Sequence, residues 1–173
     1  MLEKRNKMGR VERKTKRNKH LIILGIIVLI LVIIWGFYMI ARIPYREARN
    51  EAFQMAEKYA KVENIDNFYI YNRNQTYYTI EGENNNHQEV FVVIPKKGNR
   101  VDIYEKDKGI SLKKAQQIVQ NKYNPQKIKQ VVFGMKSGKT PIWEVAYENQ
   151  QGNLCYAEVA FKNGNVLQNI TNL

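Results

Sequence analysis

The chain has 173 residues, with 28 lysines and arginines against 16 aspartates and glutamates, a formal net charge of +12. This length allows one domain or two very small ones. A single cysteine, Cys155, excludes a secreted module held by intrachain disulfides, and two histidines leave little material for a metal site. The positive charge is concentrated in a basic arm, residues 1–20, followed by the uncharged segment Leu21–Ala41. This distribution argues against a cytosolic globular protein.

The apolar segment Leu21–Ala41 is predicted to be a transmembrane helix. As a helix it would be about 31 Å long, close to the hydrocarbon thickness of a bilayer. Trp35, Phe37 and Tyr38 cluster near its end, where aromatic rings favour the headgroup level. A cleaved signal peptide is the alternative. Its apolar region is usually shorter and precedes a small-x-small site, which Met39-Ile40-Ala41 does not provide. We therefore expect an uncleaved single-pass anchor.

The charges that flank this segment predict its orientation. Basic residues are dense before it and fewer after it: Lys4, Arg5, Lys7, Arg10, Arg13, Lys14, Lys16, Arg17 and Lys19 against Arg42, Arg46 and Arg49. Because positive residues stay in the cytoplasm, we expect the N-terminus inside and residues 42–173 outside the cell membrane. The basic arm is expected to contact anionic membrane lipid. Nucleic acid is not an expected partner, because no aromatic residue interleaves the arm's charges.

The sequence pattern of residues 44–106 predicts one helix followed by strands. Pro44 suits the first turn of a helix, and the helical pattern ends near Val62. Apolar residues recur on one helical face at Tyr45, Ala48, Ala52, Met55, Ala56 and Tyr59. Strand patterns separated by Asn-rich or Gly-containing turns follow at Phe68–Tyr71, Tyr77–Ile80, Val90–Ile94 and Val101–Tyr104.

Residues 107–173 repeat this order. Ser111 is a suitable N-cap for a second helix, which Asn124-Pro125 ends. Its predicted buried stripe consists of Leu112, Ala115, Ile118 and Val119. Strand patterns follow at Ile128–Met135, Ile142–Glu148, Leu154–Phe161 and Val166–Ile170. A shift of 65 residues overlays the two halves and places Ile80 on Val145. The chain is thus predicted to be α+β, with two units of α-β-β-β type, each a helix packed on an antiparallel sheet.

The alternation of side chains in the second unit predicts which strand faces are buried. In Trp143–Glu148 the odd positions are expected in the core and the even positions in water. In the next strand Cys155, Ala157, Val159 and Phe161 share one face. Cys155 is therefore expected to be a small buried apolar residue and not a reactive thiol.

Motifs that carry chemistry are weak in this sequence. Gly134–Thr140 resembles a phosphate-binding loop but has three residues between its glycines instead of four, so a hairpin turn is expected. Ser111 and Ser137 are assigned to a helix cap and this turn, and His87 to a solvated loop. The acid pairs are expected on turns and wet strand faces: Glu81 with Glu83, Asp102 with Glu105 and Asp107, and Glu144 with Glu148. The sequence therefore predicts no catalytic residue, no metal site and no cofactor.

Several segments resemble the TseB (YpmB) family of Gram-positive bacteria, whose members are single-pass proteins with two PepSY-like (cystatin-like) domains. The segments are Lys108–Ala115, Trp143-Glu144-Val145-Ala146-Tyr147, Tyr156, Phe161, Gly164, Asn169-Ile170-Thr171, Tyr77–Gly82 and Val92–Pro95. The resemblance implies PepSY-like modules at residues 44–106 and 107–173. It also implies a regulator of cell-wall elongation that associates with a class B penicillin-binding protein, the transpeptidase of lateral wall growth.

We therefore expect a membrane-anchored, non-enzymatic regulator of peptidoglycan elongation with no small-molecule substrate. The alternative is a PepSY-type inhibitor of an extracytoplasmic peptidase, and an enzyme of another type is a third class. A sheet edge or the groove between the modules is the expected contact surface. The sequence assigns no partner-binding residue.

Overall fold

The structure is a computed structural model that describes residues 23–98 and 100–171. The basic arm and the first two residues of the predicted span lie outside the described residues. Contacts within the chain divide it between Arg46 and Glu47 into two units.

The first unit contains helix α1, residues 23–41. An 18-residue window of the helical region Ile23–Ala60 has a mean hydropathy of 2.9, and none of this window is buried within the protein. Its exposed large side chains are leucines, isoleucines and valines, with Trp35, Phe37, Tyr38 and Met39 near its end. By length and composition this helix can cross a membrane, although a signal sequence has the same properties. The helix is consistent with a single-pass membrane anchor.

The rest of the described chain contains two helices and two antiparallel sheets. The elements, in chain order, are α2 (Ile43–Ala60), β1 (Val62–Asn72), β2 (Thr76–Asn84), β3 (Glu89–Pro95), β4 (Asp102–Glu105), a 3₁₀ turn (Lys106–Lys108), α3 (Leu112–Tyr123), β5 (Lys127–Lys136), β6 (Thr140–Glu148), β7 (Leu154–Ala160) and β8 (Val166–Ile170). The strand order is β1-β2-β3-β4 in the first sheet and β5-β6-β7-β8 in the second. All paired strands are antiparallel.

The α+β fold predicted from the sequence is confirmed. Helices α2 and α3 are each followed by four strands, which matches the four strand patterns of each half and is one more than the α-β-β-β order. The shift of 65 residues also preserves strand faces. Ile80 in β2 and Val145 in β6 are both fully buried. Ile80 belongs to the core cluster that contains residues of α2, and Val145 belongs to the cluster that contains residues of α3. The internal repeat is therefore visible in the packing as well as in the sequence.

Helix α3 shows how local chemistry sets an element's ends. The Ser111 side chain accepts a 3.2 Å hydrogen bond from the backbone N–H of Lys114, as expected of an N-cap. Asn124 ends the helix in the left-handed conformation, with φ of 44°, which asparagine tolerates. Ala115 and Val119 lie one turn apart and are fully buried. The stripe predicted for this helix faces the core.

The two sheets share one hydrophobic core. A cluster around α2 contains Ala52, Ala56 and the neighbouring face of the first sheet. A larger cluster around α3 contains Trp143 and residues of the first sheet's other face, including Tyr69 and Phe91. Repeats of about 60 residues are only marginally stable alone, and the shared core adds buried apolar surface to both.

Trp143 lies at the centre of this shared core, as predicted. It is 1% exposed, and its indole Nε1–H donates a 2.9 Å hydrogen bond to the carbonyl of Ile110. Cys155, on the same face, is fully buried, which confirms the expectation of a small apolar residue.

The prediction that the even positions of Trp143–Glu148 face water is wrong for Glu144 and Ala146, which are each 9% exposed. The reason is that β1 and the turn after it cover this face of the second sheet. Tyr71 lies so close to Gly134 in β5 that a Cβ at the glycine would be 2.3 Å from the tyrosine ring. Glycine is required there because the ring occupies the place of a side chain.

Candidate functional site

The residues that the sequence singles out for chemistry lie apart in the fold. Ser137 and Gly138, with φ of 51° and 69°, form the tight turn between β5 and β6, which confirms the hairpin prediction. His87 lies in the turn after β2 with its side chain 89% exposed, and its Nδ1 is 2.5 Å from Glu83. This hydrogen bond raises the pKa of His87. Ser137 and His87 line different clefts, so they do not form a nucleophile–base pair.

Within residues 23–98 and 100–171, no group of three or more histidine, cysteine or acidic side chains is placed to hold a metal ion. Polar side chains cluster elsewhere in these residues, at the place where the two sheets meet.

A polar cleft lies where the two sheets meet. It has a volume of about 360 Å³ and is lined by residues of both sheets: Tyr71, Arg73, Asn74, Gln75, Tyr77, Met135, Lys136, Ser137, Gly138, Glu158, Gln168 and Ile170. The turn β1–β2 forms one wall, and the turn β5–β6 with β8 forms the other. We refer to this site as the inter-sheet cleft.

A partly buried ion pair joins the sheets beside this cleft. Arg73 Nε donates to Glu144 at 2.6 Å, and the guanidinium lies 4.2 Å from the ring centroid of Tyr156. Burial raises the pKa of Glu144, although the hydrogen bond from Arg73 opposes this shift. Burial acts to lower the pKa of Arg73, but the bond to Glu144 outweighs it, so the guanidinium stays charged. Arg73 Nη2 is buried without a hydrogen-bond partner among the described residues.

A second network forms the floor of the cleft. The Tyr71 hydroxyl donates a 3.0 Å hydrogen bond to Glu158, which is 5% exposed. Lys136 Nζ donates to Glu158 and, at 2.5 Å, to Gln168. Burial raises the pKa of Tyr71, and the nearby Glu158 charge raises it further, so the tyrosine remains a donor. The carboxylate of Glu158 is thus held by two donors.

A third buried carboxylate, Glu81, lies on the face of the first sheet that meets the shared core. It accepts hydrogen bonds from Tyr69 at 2.5 Å and from Asn67 at 2.9 Å, and its other oxygen is 2.7 Å from Lys106 Nζ. Burial alone would raise the pKa of Glu81, but these three donors together lower it.

These networks correct the expectation that Glu81 and Glu144 lie on turns or wet faces, because both are buried. Glu158, which the sequence did not single out, is buried as well. A signal for two of them existed in the strand register. Glu144 and Glu158 lie directly opposite each other on β6 and β7, and like charges in that position are destabilising. Cations are needed to offset the repulsion between the two carboxylates. Arg73 pairs with Glu144, and Lys136 pairs with Glu158.

The hydrogen bonds of Arg73 to Glu144 and of Tyr71 to Glu158 join the two sheets. Glu81 likewise accepts hydrogen bonds from side chains of the protein. The cleft offers a surface of fixed polar groups around its mouth, with the arginine and lysine neutralised by the glutamates below them.

Comparison with known proteins agrees with the fold and the repeat. Residues 51–95 match the family described as "Cell wall elongation regulator TseB-like domain", and residues 109–168 match "Peptidase propeptide and YPEB domain". The chain is 28% identical over 152 residues to "Probable cell wall elongation regulator TseB" of Bacillus subtilis (strain 168), covering 87% of this chain and 94% of that protein.

A solved structure, "YpmB protein from Bacillus subtilis", superposes with a TM-score of 0.64 at 27% identity. The match covers 70% of this chain and 95% of that one. The resemblance seen in the sequence is thus found again in both family matches, a curated relative and a solved structure. These comparisons support the resemblance of the chain to the TseB (YpmB) family.

Proposed function

We propose that the protein is a membrane-anchored, non-enzymatic regulator of peptidoglycan elongation that acts by binding a class B penicillin-binding protein. The observation that carries this proposal is the likeness to a relative named as a probable cell wall elongation regulator over 87% of this chain. Because the match extends over most of both chains, it supports a shared role for the whole protein.

The hydrogen-bonded carboxylates at the meeting of the two sheets are consistent with action by contact instead of turnover. Two buried acids in or beside the inter-sheet cleft are each hydrogen-bonded within the protein, Glu144 to Arg73 and Glu158 to Tyr71. A catalytic acid or base must be within reach of a substrate proton. Here the candidate groups are occupied in joining the two sheets.

The anchor has a physical role in this proposal. Helix α1 holds residues 44–106 and 107–173, the two proposed PepSY-like modules, near the outer face of the cell membrane, with the basic arm in the cytoplasm against anionic lipid. Confinement to one surface raises the effective concentration of a partner that is itself anchored there. A weak interface is then sufficient.

The second candidate function is inhibition of an extracytoplasmic peptidase. The description "Peptidase propeptide" of the family that matches residues 109–168 favours it. The two candidates differ in the enzyme that they bind, and both need residues 42–173 outside the cytoplasm.

Co-purification of the full-length protein from crosslinked membranes tests the proposal. Recovery of a transpeptidase is expected, whereas recovery of a peptidase without a transpeptidase would favour the second candidate. A reporter that is active only outside the cytoplasm, fused after Leu173, is expected to be active. A reporter active only in the cytoplasm, or a mature chain that begins near Arg42, would contradict the anchored topology.

A further inference from the structure

A second groove, distinct from the inter-sheet cleft, runs along the outer edge of β4. It has a volume of about 480 Å³ and takes residues from both sheets: Ile103, Tyr104, Glu105, Lys108, Lys139, Thr140, Pro141, Ala160, Phe161 and Lys162. We call it the β4 groove. Its walls come from both halves of the repeat, so it exists only where the two sheets meet.

The floor of the β4 groove is apolar. Phe161 is 3% exposed and packs edge-on against Tyr104, with 6.4 Å between the ring centroids. Ala160, beside it, is 7% exposed, whereas Ile103 on the rim is 46% exposed. Tyr104 also contacts Phe133, so the floor rests on the shared core. It is therefore a rigid apolar surface with one large exposed side chain at its border.

One side of the β4 groove is a free strand edge. β4 is the last strand of the first sheet and pairs with β3 alone. Among the described residues, no backbone hydrogen bond outside this pairing involves Asp102–Glu105. The outward N–H and C=O groups of an edge strand are a template for another strand. Ile103 lies opposite Val92, and Tyr104 opposite Phe91, so these two side chains of β4 lie on opposite faces of the first sheet.

The charges at the rim of the β4 groove are mainly positive. Three exposed lysines, Lys108, Lys139 and Lys162, face a single carboxylate of the groove, Glu105. Lys108 is 3.8 Å from Glu105 and 3.6 Å from Asp107. In the part of the chain that the structure describes, Lys139 and Lys162 have no ion-pair partner. An occupant with negative charge is therefore favoured.

We propose that the β4 groove binds an extended acidic segment of a protein partner. The segment adds a strand to β4 and lays an apolar side chain on Tyr104 and Phe161, while its carboxylates approach Lys139 and Lys162. In strand addition the backbone supplies affinity, and pockets for alternate side chains supply specificity. An anionic polymer would satisfy the lysines but has neither backbone amides for the strand edge nor side chains for the apolar floor. This inference deepens the proposed function, on which it rests for the partner being a protein.

A binding measurement on the full-length protein in nanodiscs of neutral lipid tests the inference. The probe is a fluorescein-labelled heptapeptide of alternating glutamate and valine, followed by fluorescence anisotropy at physiological salt. The double variant Lys139→Glu/Lys162→Glu is expected to bind about tenfold more weakly or worse, because charge reversal places like charges together. The matched control Lys113→Glu/Lys114→Glu makes the same charge change on exposed residues of α3 and is expected to bind like the wild type.

Two further probes separate strand addition from simple charge attraction. A heptapeptide with alternate backbone amides methylated is expected to lose binding about tenfold or more, because it cannot donate to β4. Ile103→Asp is expected to weaken binding without a change in the melting temperature, because the side chain is on the rim. The basic arm is the same in all these variants. Differences in peptide binding between them therefore arise from changes outside the arm.

Equal binding of the peptide to the wild type and to Lys139→Glu/Lys162→Glu would overturn the inference. So would binding of polyphosphate, lost in that variant, without binding of the peptide. The inference and the proposed function can fail separately. If the double variant loses the peptide but still co-purifies with a transpeptidase, the groove is not the contact used and the proposed function stands. If the peptide binds as expected but no transpeptidase is recovered, the groove stands and the proposed function fails.

Discussion

Phe91 of the first sheet stacks face to face on Phe133 of the second, with 4.2 Å between ring centroids and 12° between ring planes. Trp143 closes this pair at its edge, at 5.4 Å from Phe91 and 5.0 Å from Phe133. The three rings belong to β3, β5 and β6. The two halves of the repeat are therefore joined through aromatic rings, and we expect them to unfold as one cooperative unit.

Trp143→Ala is expected to destabilise the fragment 44–173 by about 3–5 kcal/mol, because a fully buried aromatic side chain is lost and a cavity remains. Both sheets should be affected together. Chemical unfolding followed by far-UV and near-UV circular dichroism checks this, since coincident transitions indicate one unit. Leu167→Ala is the control, since Leu167 is 44% exposed and should cost far less. Two separate transitions in the wild type would contradict the shared core.

Gly134→Ala is expected to destabilise the fold by about 1–3 kcal/mol, because the new methyl group would collide with the ring of Tyr71. The collision predicts a specific rescue. In the Tyr71→Ala background, the same change at Gly134 should cost much less, and a double-mutant cycle of unfolding free energies measures the coupling. Additive effects of the two changes would show that the ring does not rest on the glycine.

Glu81→Gln is expected to lower stability at neutral pH by about 1–3 kcal/mol, because hydrogen bonds to a charged acceptor are lost. The pKa of Glu81 is lowered in the folded protein from its usual 4.5, so the folded state binds fewer protons than the unfolded state between these two values. Stability from this carboxylate is thus present above pH 4.5 and lost as the pH falls through the lower folded value.

Unfolding measured from neutral pH down into this acid range should show the difference between wild type and Glu81→Gln shrinking with acidification. Glu57→Gln, an exposed change on α2, is the control and should change stability little throughout. A difference that grows as the pH falls would have the wrong sign and would mean that the donors around Glu81 do not hold its charge.

Exposed polar residues that could act in catalysis are expected to be dispensable. His87→Asn and Ser137→Gly keep backbones that tolerate positive φ, with wild-type values of 59° and 51°. Both should leave lateral wall growth, measured by incorporation of a fluorescent D-amino acid, near the wild-type rate. Loss of function in either variant, with folding and partner binding intact, would be evidence for catalysis.

The sequence predicts the elements well because their signals are local. Ser111 and Asn124 set the ends of α3 through hydrogen bonds within a few residues. The alternation of Trp143, Val145 and Tyr147 is a property of one strand, and the repeat brings Ile80 to a matching position. These features need no knowledge of how the sheets meet.

The interactions that the sequence did not predict are long-range. Arg73 and Glu144 are 71 residues apart, and Tyr71 and Glu158 are 87 residues apart. The burial of these carboxylates depends on β1 covering the second sheet, which no local pattern encodes. The β4 groove has the same origin, because its lysines come from three different turns and converge only when the sheets pack.

The central claim, that the protein acts by contact at the membrane surface, is tested most directly by changing the anchor. Lateral wall growth should be compared in cells that make the full-length chain, residues 44–173 secreted without an anchor, or the chain with Leu21–Ala41 replaced by an unrelated span of the same length. At equal protein levels, the released fragment should lose most of its function, because tethering supplies the effective concentration, and the unrelated anchor should restore most of it. Normal wall growth with the released fragment would contradict the account.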